Sequence, residues 1–430
     1  MKKLFSLKML VIVFCIFCLK NSFSNQIEEE AFQFLREFVG INTVNPPGNE
    51  SRAVSFYASI FEKEGIEYEV IESAPGRGNI WARLTGGKKP GLMMLQHTDV
   101  VPADPEHWSV KPFLSVEKDG YLYGRGTLDM KGTGISHLAT FLYLKRKNIP
   151  LNRDVVFLAS ADEEAGGLYG VGWLIENKPE IFKNIGLLIN EGGSGRIINN
   201  NLVFEVELTQ KIPVWLKLTA VDKPGHGSSP RETSSVTRLI DGLYYLKSNP
   251  FPPRIIDSVE KYFIGMSEYI EEDKSKDYKN IATSIKRERF IKSLQERSPF
   301  HHSLTRDTCS ITRLGASEKI NVVPPLAWAE LDCRVLPDRP SSEFIDKIKS
   351  MVKPFGIEVE ILMAFTSASS TVDSELFRAI EKTMKGLYPK SHVIPRVTTG
   401  FTDSHFTRDL GIQSYGFNPI IVPLKELSRI

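Results

Sequence analysis

Several apolar runs in this sequence end in imidazoles or carboxylates, the side chains that metal and acid–base chemistry use. Leu92-Met93-Met94-Leu95-Gln96 leads directly into His97-Thr98-Asp99-Val100. His97 and Asp99 lie two residues apart, so in an extended segment both can face one side. A carboxylate near a ligating histidine can accept its spare N–H, which fixes the tautomer and raises its basicity. Val155-Val156-Phe157-Leu158-Ala159-Ser160-Ala161 leads into Asp162-Glu163-Glu164. Three consecutive acids at the end of a buried strand are costly unless a cation or a reaction needs them. Leu187-Leu188-Ile189-Asn190 delivers Glu191, followed by Gly192-Gly193. Gly124-Arg125-Gly126-Thr127-Leu128-Asp129-Met130-Lys131-Gly132 presents Asp129 from a tight loop at a helix start, and Thr399-Gly400-Phe401-Thr402-Asp403-Ser404-His405 sets a second histidine in a loop. Each piece has an ordinary reading: a strand-end histidine, a capping aspartate, a solvated acidic turn. Together they supply two imidazoles and at least four carboxylates, a ligand set that suits zinc, and a shared carboxylate suits a two-metal site.

Such residues need a scaffold that brings strand ends together. From Ile27 to about Gln210 the chain alternates strand-like stretches (Ile66–Ile71, Ile80–Leu84, Leu92–Gln96, Val155–Ala159, Leu187–Asn190) with helix-like ones (Gly132–Lys147, Leu168–Asn177). That alternation predicts an α/β sheet covered on both faces, with functional groups at the carboxyl ends of its strands. A second unit starts near Ile212. Pro213–Val221, Trp328–Val335 and Ile357–Leu362 read as strands, and Ser234–Lys247 and Ser341–Lys353 as amphipathic helices. Strand–helix–strand–strand–helix–strand is the ferredoxin-like α+β order. The expected division is therefore a catalytic domain over 25–210 and 364–430, with an inserted lid or dimerisation domain over 211–363. Within the insert, Asn249 to Arg306 is polar and Pro-containing, and reads as a partly helical insertion over or beside the active site.

The chain has 430 residues with a formal net charge of +2, which gives no reason to expect nucleic acid or an anionic membrane surface as partner. Lys2, Lys3 and Lys8 precede the apolar run Met9–Leu19, and small residues end at Ser24. This pattern reads as a secretory signal over residues 1–24, giving a secreted or periplasmic protein without stable membrane insertion after cleavage; an uncleaved anchor is the weaker alternative. Cys15 and Cys18 would leave with the signal. Cys309 and Cys333 remain in strand-like segments, where a disulfide or plain burial is open.

In this order, His-Thr-Asp-Val, Gly-Arg-Gly-Thr-Leu-Asp-Met-Lys-Gly, Asp-Glu-Glu and Thr-Asp-Ser-His resemble the dinuclear zinc aminoacylase and carboxypeptidase family, which includes acetylornithine deacetylase, succinyl-diaminopimelate desuccinylase and glutamate carboxypeptidase. The resemblance runs from about Ile27 to Pro419. It implies a zinc-exopeptidase-like α/β fold and two Zn2+ ions, with cobalt or manganese as possible substitutes. His97 and Glu191 would hold one ion, Glu164 and His405 the other, and Asp129 would bridge them with a water between. Asp99 would orient His97, and Glu163 would be the general base that passes the water's proton to the leaving nitrogen. Asp222-Lys223-Pro224-Gly225-His226-Gly227-Ser228-Ser229-Pro230 resembles the family's Gly-His-Ser motif, whose histidine stabilises the oxyanion, often in the partner subunit of a homodimer. Asn321, Arg334 and Gly400 fall in segments that resemble substrate-binding ones. Arg334 suits a carboxylate through its planar fork, although a structural ion pair to Asp332 is the alternative. The family's sequences commonly continue with a His-Gly-containing segment and a last helix, whereas this one stops at Leu427-Ser428-Arg429-Ile430; the resemblance then implies either that the sequence is a fragment or that the catalytic domain lacks a packing element and is less stable than its relatives.

The expected reaction is hydrolysis of an amide bond in a small peptide or N-acyl amino acid bearing a free carboxylate. Two other classes compete: a catalytically silent periplasmic binding protein and a dinuclear-metal phosphoesterase. A binder needs none of Asp99, Glu163 and His226, and paired glutamates beside a carboxylate-binding arginine fit amides better than phosphate esters. A dinucleotide oxidoreductase is poorly supported, because no GxGxxG follows a strand with an acid about twenty residues on.

Overall fold

The computed structural model describes residues 26–422; the expected signal segment with Cys15 and Cys18, and the end of the chain from residue 423, lie outside the described residues. Among the described residues no helix is long and apolar enough to cross a membrane. Internal contacts divide the chain into two compact units, one ending at Glu191 and one beginning at Gly192.

The first unit opens with α1 over residues 26–39 and α2 (Ser51–Lys63). In α2 the apolar residues Val54, Tyr57, Ile60 and Phe61 recur at helical spacing and are buried, so one stripe faces the sheet. The strands are β1 (Tyr68–Glu72), β2 (Gly78–Leu84), β3 (Lys89–His97), a short hairpin of β4 (Val116–Lys118) and β5 (Tyr121–Tyr123), β6 (Arg153–Ser160) and β7 (Ile185–Asn190). They form a sheet in the order β1-β2-β6-β3-β7; β3 pairs in parallel with both β6 and β7, while β1 and β2 add antiparallel. Val155 to Ser160 and Met93 to His97 are buried without alternation, as expected for strands covered on both faces. The helices α3 (Gly132–Arg146) and α4 (Val171–Asn177) follow β5 and β6. Tyr57, Phe61, Phe141 and Phe157 meet ring to ring, with centroids 5.3–6.0 Å apart, at the centre of this core.

The second unit begins with β8 (Gly195–Ile198) and β9 (Asn201–Gln210). Then comes the expected ferredoxin-like layer: β10 (Ile212–Val221), the two-residue β11 (Gly225–His226), α5 (Ser235–Ser248), β12 (Thr308–Gly315), the two-residue β13 (Val322–Val323), β14 (Leu326–Val335), α11 (Ser341–Val352, after five helices described below) and β15 (Ile357–Ala364). Its sheet runs β12-β14-β10-β15 with every pair antiparallel. Strict alternation along β10 and β14 sends Val214, Leu216, Leu218, Ala329, Leu331 and Cys333 into a core shared with both helices, and leaves Trp215, Trp328, Asp332 and Arg334 on the other face. Cys309 and Cys333 stand opposite one another in β12 and β14 and form a disulfide.

Between α5 and β12 the polar stretch folds as α6 (Asp257–Met266), α7 (Glu272–Lys279), α8 (Ile281–Ser284), α9 (Glu288–Arg297) and α10 (Pro299–Ser303). Tyr262, Phe263, Tyr278, Ile281 and Leu294 build a core of their own against Ile394 and Val397 of β16 (His392–Thr398). The insertion is thus more helical than its sequence suggests, and the partner it buries its apolar stripe against is that strand. The unit is completed by α12 (Glu375–Leu387), capped by Ser374, by α13 (Ser404–Asp409) and by β17 (Gln413–Gly416). Here β16 pairs in parallel and β17 antiparallel with β9.

Candidate metal centre

In the first unit, parallel pairing stacks the strand ends. His97 stands opposite Ser160 in the β3–β6 register, so the Asp162–Glu164 turn after β6 and Glu191 after β7 leave the sheet at the same edge. His97 is 2% exposed, and its Nδ1 donates to the backbone carbonyl of Asp99 at 3.0 Å. A carbonyl only accepts, so the neutral ring carries its hydrogen on Nδ1 and keeps a lone pair on Nε2. That Nε2 lies 3.1 Å from Asp129 Oδ1, 3.5 Å from Glu191 Oε1 and 4.0 Å from Glu163 Oε2. Ligand atoms of His97, Asp129 and Glu164 all lie within 4.8 Å of one another, as do those of His97, Glu163 and Glu191. Glu163, expected as a base, therefore sits among the ligands.

Local backbone geometry aims these groups. Asp162 adopts a left-handed conformation (φ 71°) and opens a short 3-10 turn, Glu163–Ala165, which Gly166 closes at φ 108°. Asp129 hangs between Gly126 and α3; a Cβ on Gly126 would lie 2.5 Å from Val100 Cγ1, so the loop passes there only as glycine. Asp99 does more than orient His97. Its carboxylate is 3.5 Å from the ring Nδ1 and accepts the backbone N–H groups of both Glu163 and Glu164 at 3.1 Å, tying the acidic turn to the histidine.

The electrostatics are those of crowded acids. Burial, with repulsion from neighbouring carboxylates, pushes Glu164 and Glu191 up to about 7. Burial would lower His97, but Glu191, Asp129 and Asp99 together hold it well above the usual imidazole range. Burial would likewise raise Asp129, and its hydrogen bond and charge contact with His97 outweigh that and lower it. Several acids sharing protons around one oriented imidazole fit a divalent cation, which would replace those protons with a stronger positive charge.

The second unit carries the other expected residues. His405 is buried at the start of α13, with its ring stacked 3.8 Å from Phe365. Its Nδ1 donates to the Thr402 carbonyl at 2.9 Å, and its buried Nε2 has no hydrogen-bond partner among the described residues. This is the tautomer of His97 again, with a lone pair available for a metal. Burial lowers His405 to about 4, which keeps it neutral. His226 is exposed on β11, which pairs with β13; its Nδ1 meets Ser228 Oγ at 2.8 Å, and Gly227 N donates to Asn321 O at 2.9 Å, so His226 and Asn321 share one ribbon. Arg334 makes the ion pair to Asp332 through Nε (2.8 Å) and Nη2 (3.1 Å), while its buried Nη1 has no partner among the described residues. Phe401, next to Gly400, packs under its guanidinium at 5.7 Å.

The sequence pattern alone did not single out Asn45, Glu50 and Arg77, which form a buried network behind Asp99 and Asp162. The only local signal is the turn chemistry of Asn45-Pro46-Pro47-Gly48, which says where the chain bends and nothing about what it holds.

Residues 93–426 match the family model described as Peptidase family M20/M25/M40. The chain is 29% identical over 346 residues to the N-fatty-acyl-amino acid synthase/hydrolase PM20D1 of Xenopus tropicalis, covering 79% of this chain and 67% of that protein. It is 27% identical over 406 residues to Aminoacylase-1 of Sus scrofa, covering 91% and 88%. Among solved structures, the M20 family metallo-carboxypeptidase Sso-CP2 from Sulfolobus solfataricus superposes with a TM-score of 0.72 at 21% identity, covering 90% of this chain and 91% of that one. The di-peptidase Dug1p of Saccharomyces cerevisiae does so with a TM-score of 0.64 at 17% identity, covering 93% and 90%. These likenesses show the expected fold, an α/β catalytic layer with an α+β lid.

Proposed function

Since the chain belongs to peptidase family M20/M25/M40 and is a metal-dependent amide hydrolase of carboxypeptidase or aminoacylase type, we propose that it is a dinuclear zinc deacylase of N-acyl amino acids. The observation that carries this reading is His97, locked by Asp99 into the tautomer that aims Nε2 among Asp129, Glu163, Glu164 and Glu191. His97, Asp129, Glu164, Glu191 and His405 would hold the metals. Bound there, zinc polarises a carbonyl and lowers the pKa of a water to about 7. Glu163 takes the proton of the attacking water and hands it to the leaving nitrogen. Asp99 keeps the Glu163–Glu164 turn aimed, and Arg334 Nη1 receives the substrate carboxylate. His226 stabilises the oxyanion, and Asn321 and Gly400 line the substrate. The same proposal includes the domain division at 211 and 364, a homodimer through the lid, and export; the Cys309–Cys333 disulfide supports an oxidising compartment.

Acyl amino acids are preferred over peptides because relatives named for them match this sequence at 25–29% identity, whereas the carboxypeptidase and dipeptidase likenesses are at 15–21%. The test is hydrolysis of N-acyl amino acids, the corresponding amides without a carboxylate, and dipeptides, with and without chelator. Acyl amino acids should turn over fastest, blocked carboxylates poorly, and chelator should stop all of it. Chelator-resistant turnover, or turnover of phosphate esters alone, would overturn the reading.

A further inference from the structure

Asn45 is 6% exposed and lies behind the acidic turn rather than in it. Its Nδ2 donates to Asp99 Oδ2 at 2.8 Å and to Asp162 Oδ1 at 3.1 Å, which uses both hydrogens of the amide. Its Oδ1 accepts from Arg77 Nη2 at 3.4 Å. Arg77 also binds Asp162 and, at 2.6 Å, Glu50. Two buried carboxylates, Glu50 and Asp162, thus meet one buried guanidinium, and Asn45 links the third, Asp99, to them. A neutral amide with two N–H groups is the side chain that can hold Asp99 and Asp162 together without adding charge.

Both carboxylates that Asn45 holds govern the acidic turn. Asp99 accepts the backbone N–H groups of Glu163 and Glu164, and Asp162 begins the turn in its left-handed conformation, anchored through its other oxygen to Tyr169 N at 2.9 Å. The loop that carries Asn45 is fixed in turn. Asn45 N donates to Val100 O at 2.9 Å and Val100 N to Thr43 O at 3.1 Å. Gly48 (φ 108°) lies so close to Arg77 that a Cβ would fall 1.9 Å from Nη1.

We propose that Asn45 is a positioning residue of the metal centre: an amide clamp that joins Asp99 to Asp162 and so sets the aim of Glu163, Glu164 and, through Asp99, His97. This rests on the reading of those groups as metal ligands and base. Ligand-supporting hydrogen bonds of this kind are worth about 10–100-fold in metal affinity or activity.

The experiment titrates cobalt(II) into the metal-stripped full chain and records its visible absorption, alongside kcat, KM and Tm on an N-acyl amino acid. Asn45→Asp keeps the shape and replaces the two donors with an acceptor. Its cobalt spectrum should change, its cobalt affinity fall by about 10–100-fold, and kcat fall with KM nearly constant. Asn45→Ser, which keeps one donor, should recover part of both, and it carries the comparison if Asn45→Asp does not fold. Variants that lose Tm while keeping the wild-type cobalt spectrum, affinity and kcat would overturn the clamp and leave the metal reading intact. A wild-type chain that binds no cobalt would overturn both.

Discussion

At the scale of single residues, the site is a problem of lone pairs and protons. His97 and His405 each donate Nδ1–H to a backbone carbonyl, so neither needs a carboxylate to fix its tautomer. That leaves Glu163, whose carboxylate is 4.0 Å from His97 Nε2, within reach of two jobs: ligand or base. Glu163→Gln separates them. The amide keeps the size of the side chain and one acceptor but cannot take a proton. As the base, Glu163→Gln should lower kcat by about 10²–10⁴-fold while cobalt binds with unchanged stoichiometry and affinity. A loss of one bound cobalt would instead make Glu163 a ligand, and wild-type turnover would remove it from the mechanism altogether.

At the scale of elements, two buried lysines act as joints. Lys131 Nζ donates to the carbonyls of Phe38 and Ile41, holding α1 to the Asp129 loop. Lys211 Nζ donates to the carbonyls of Ser303 and Arg306 and to Thr308 Oγ1, fastening the end of the helical insertion where β9 passes into β10. Burial pushes the Lys211 amine down to about 7, from an ordinary value near 10.5. Between those values the unfolded chain holds a proton that the folded one does not, so this residue makes stability rise with pH. The Tm margin of wild type over Lys211→Met should therefore widen from pH 7 to pH 9; a constant margin would show that the amine is not shifted. Joints of this kind are what the sequence conceals. The strands that end in His97, Glu163 and Glu191 were legible because their apolar runs and the acids that follow are contiguous, and β10 and β14 because of their alternation. The partners of Lys211 lie about ninety residues away, and those of Asn45 lie 54 and 117 residues away, with no period linking them. The insertion reads in the sequence as only partly helical because α7 is nearly all charged, and what its helices pack against, Ile394 and Val397 of β16, lies far along the chain.

At the scale of the whole molecule, the protons shared at the metal centre couple metal binding to the pH dependence of stability. Without a cation, Glu164 and Glu191 are pushed from 4.5 up to about 7, burial being the largest cause, and Glu50 is raised to about 7 in the same way beside Asp99. A raised carboxyl binds more protons in the folded chain than in the unfolded one, so its contribution is present at low pH and is lost as pH climbs from about 4.5 to about 7. His97, raised above its usual 6.5, adds the same sign above that value. Zinc requires Glu164, Glu191 and His97 deprotonated, so it removes their share of the slope, while Glu50, outside the ligand set, keeps its own. His137, His301, His302 and His405, lowered by burial to about 4, and Lys131 and Lys211, lowered by burial to about 7, contribute slopes of the opposite sign in both forms, so the ligands show in the difference. The Tm advantage of the zinc-loaded over the chelated protein should widen between pH 5 and pH 8, each kcal/mol counting for about 2–4 °C in domains of this size. At a fixed zinc concentration fewer protons compete as pH rises, so Kd falls and the gap between the two curves opens toward high pH; zinc at a hundred times its Kd adds about 2.7 kcal/mol. Calorimetry in buffers of different ionisation enthalpy should show protons released on zinc binding, more at pH 6 than at pH 8. Parallel Tm curves with no proton release would mean that zinc, if it binds, does not displace protons from these side chains, and the ligand assignment would fall.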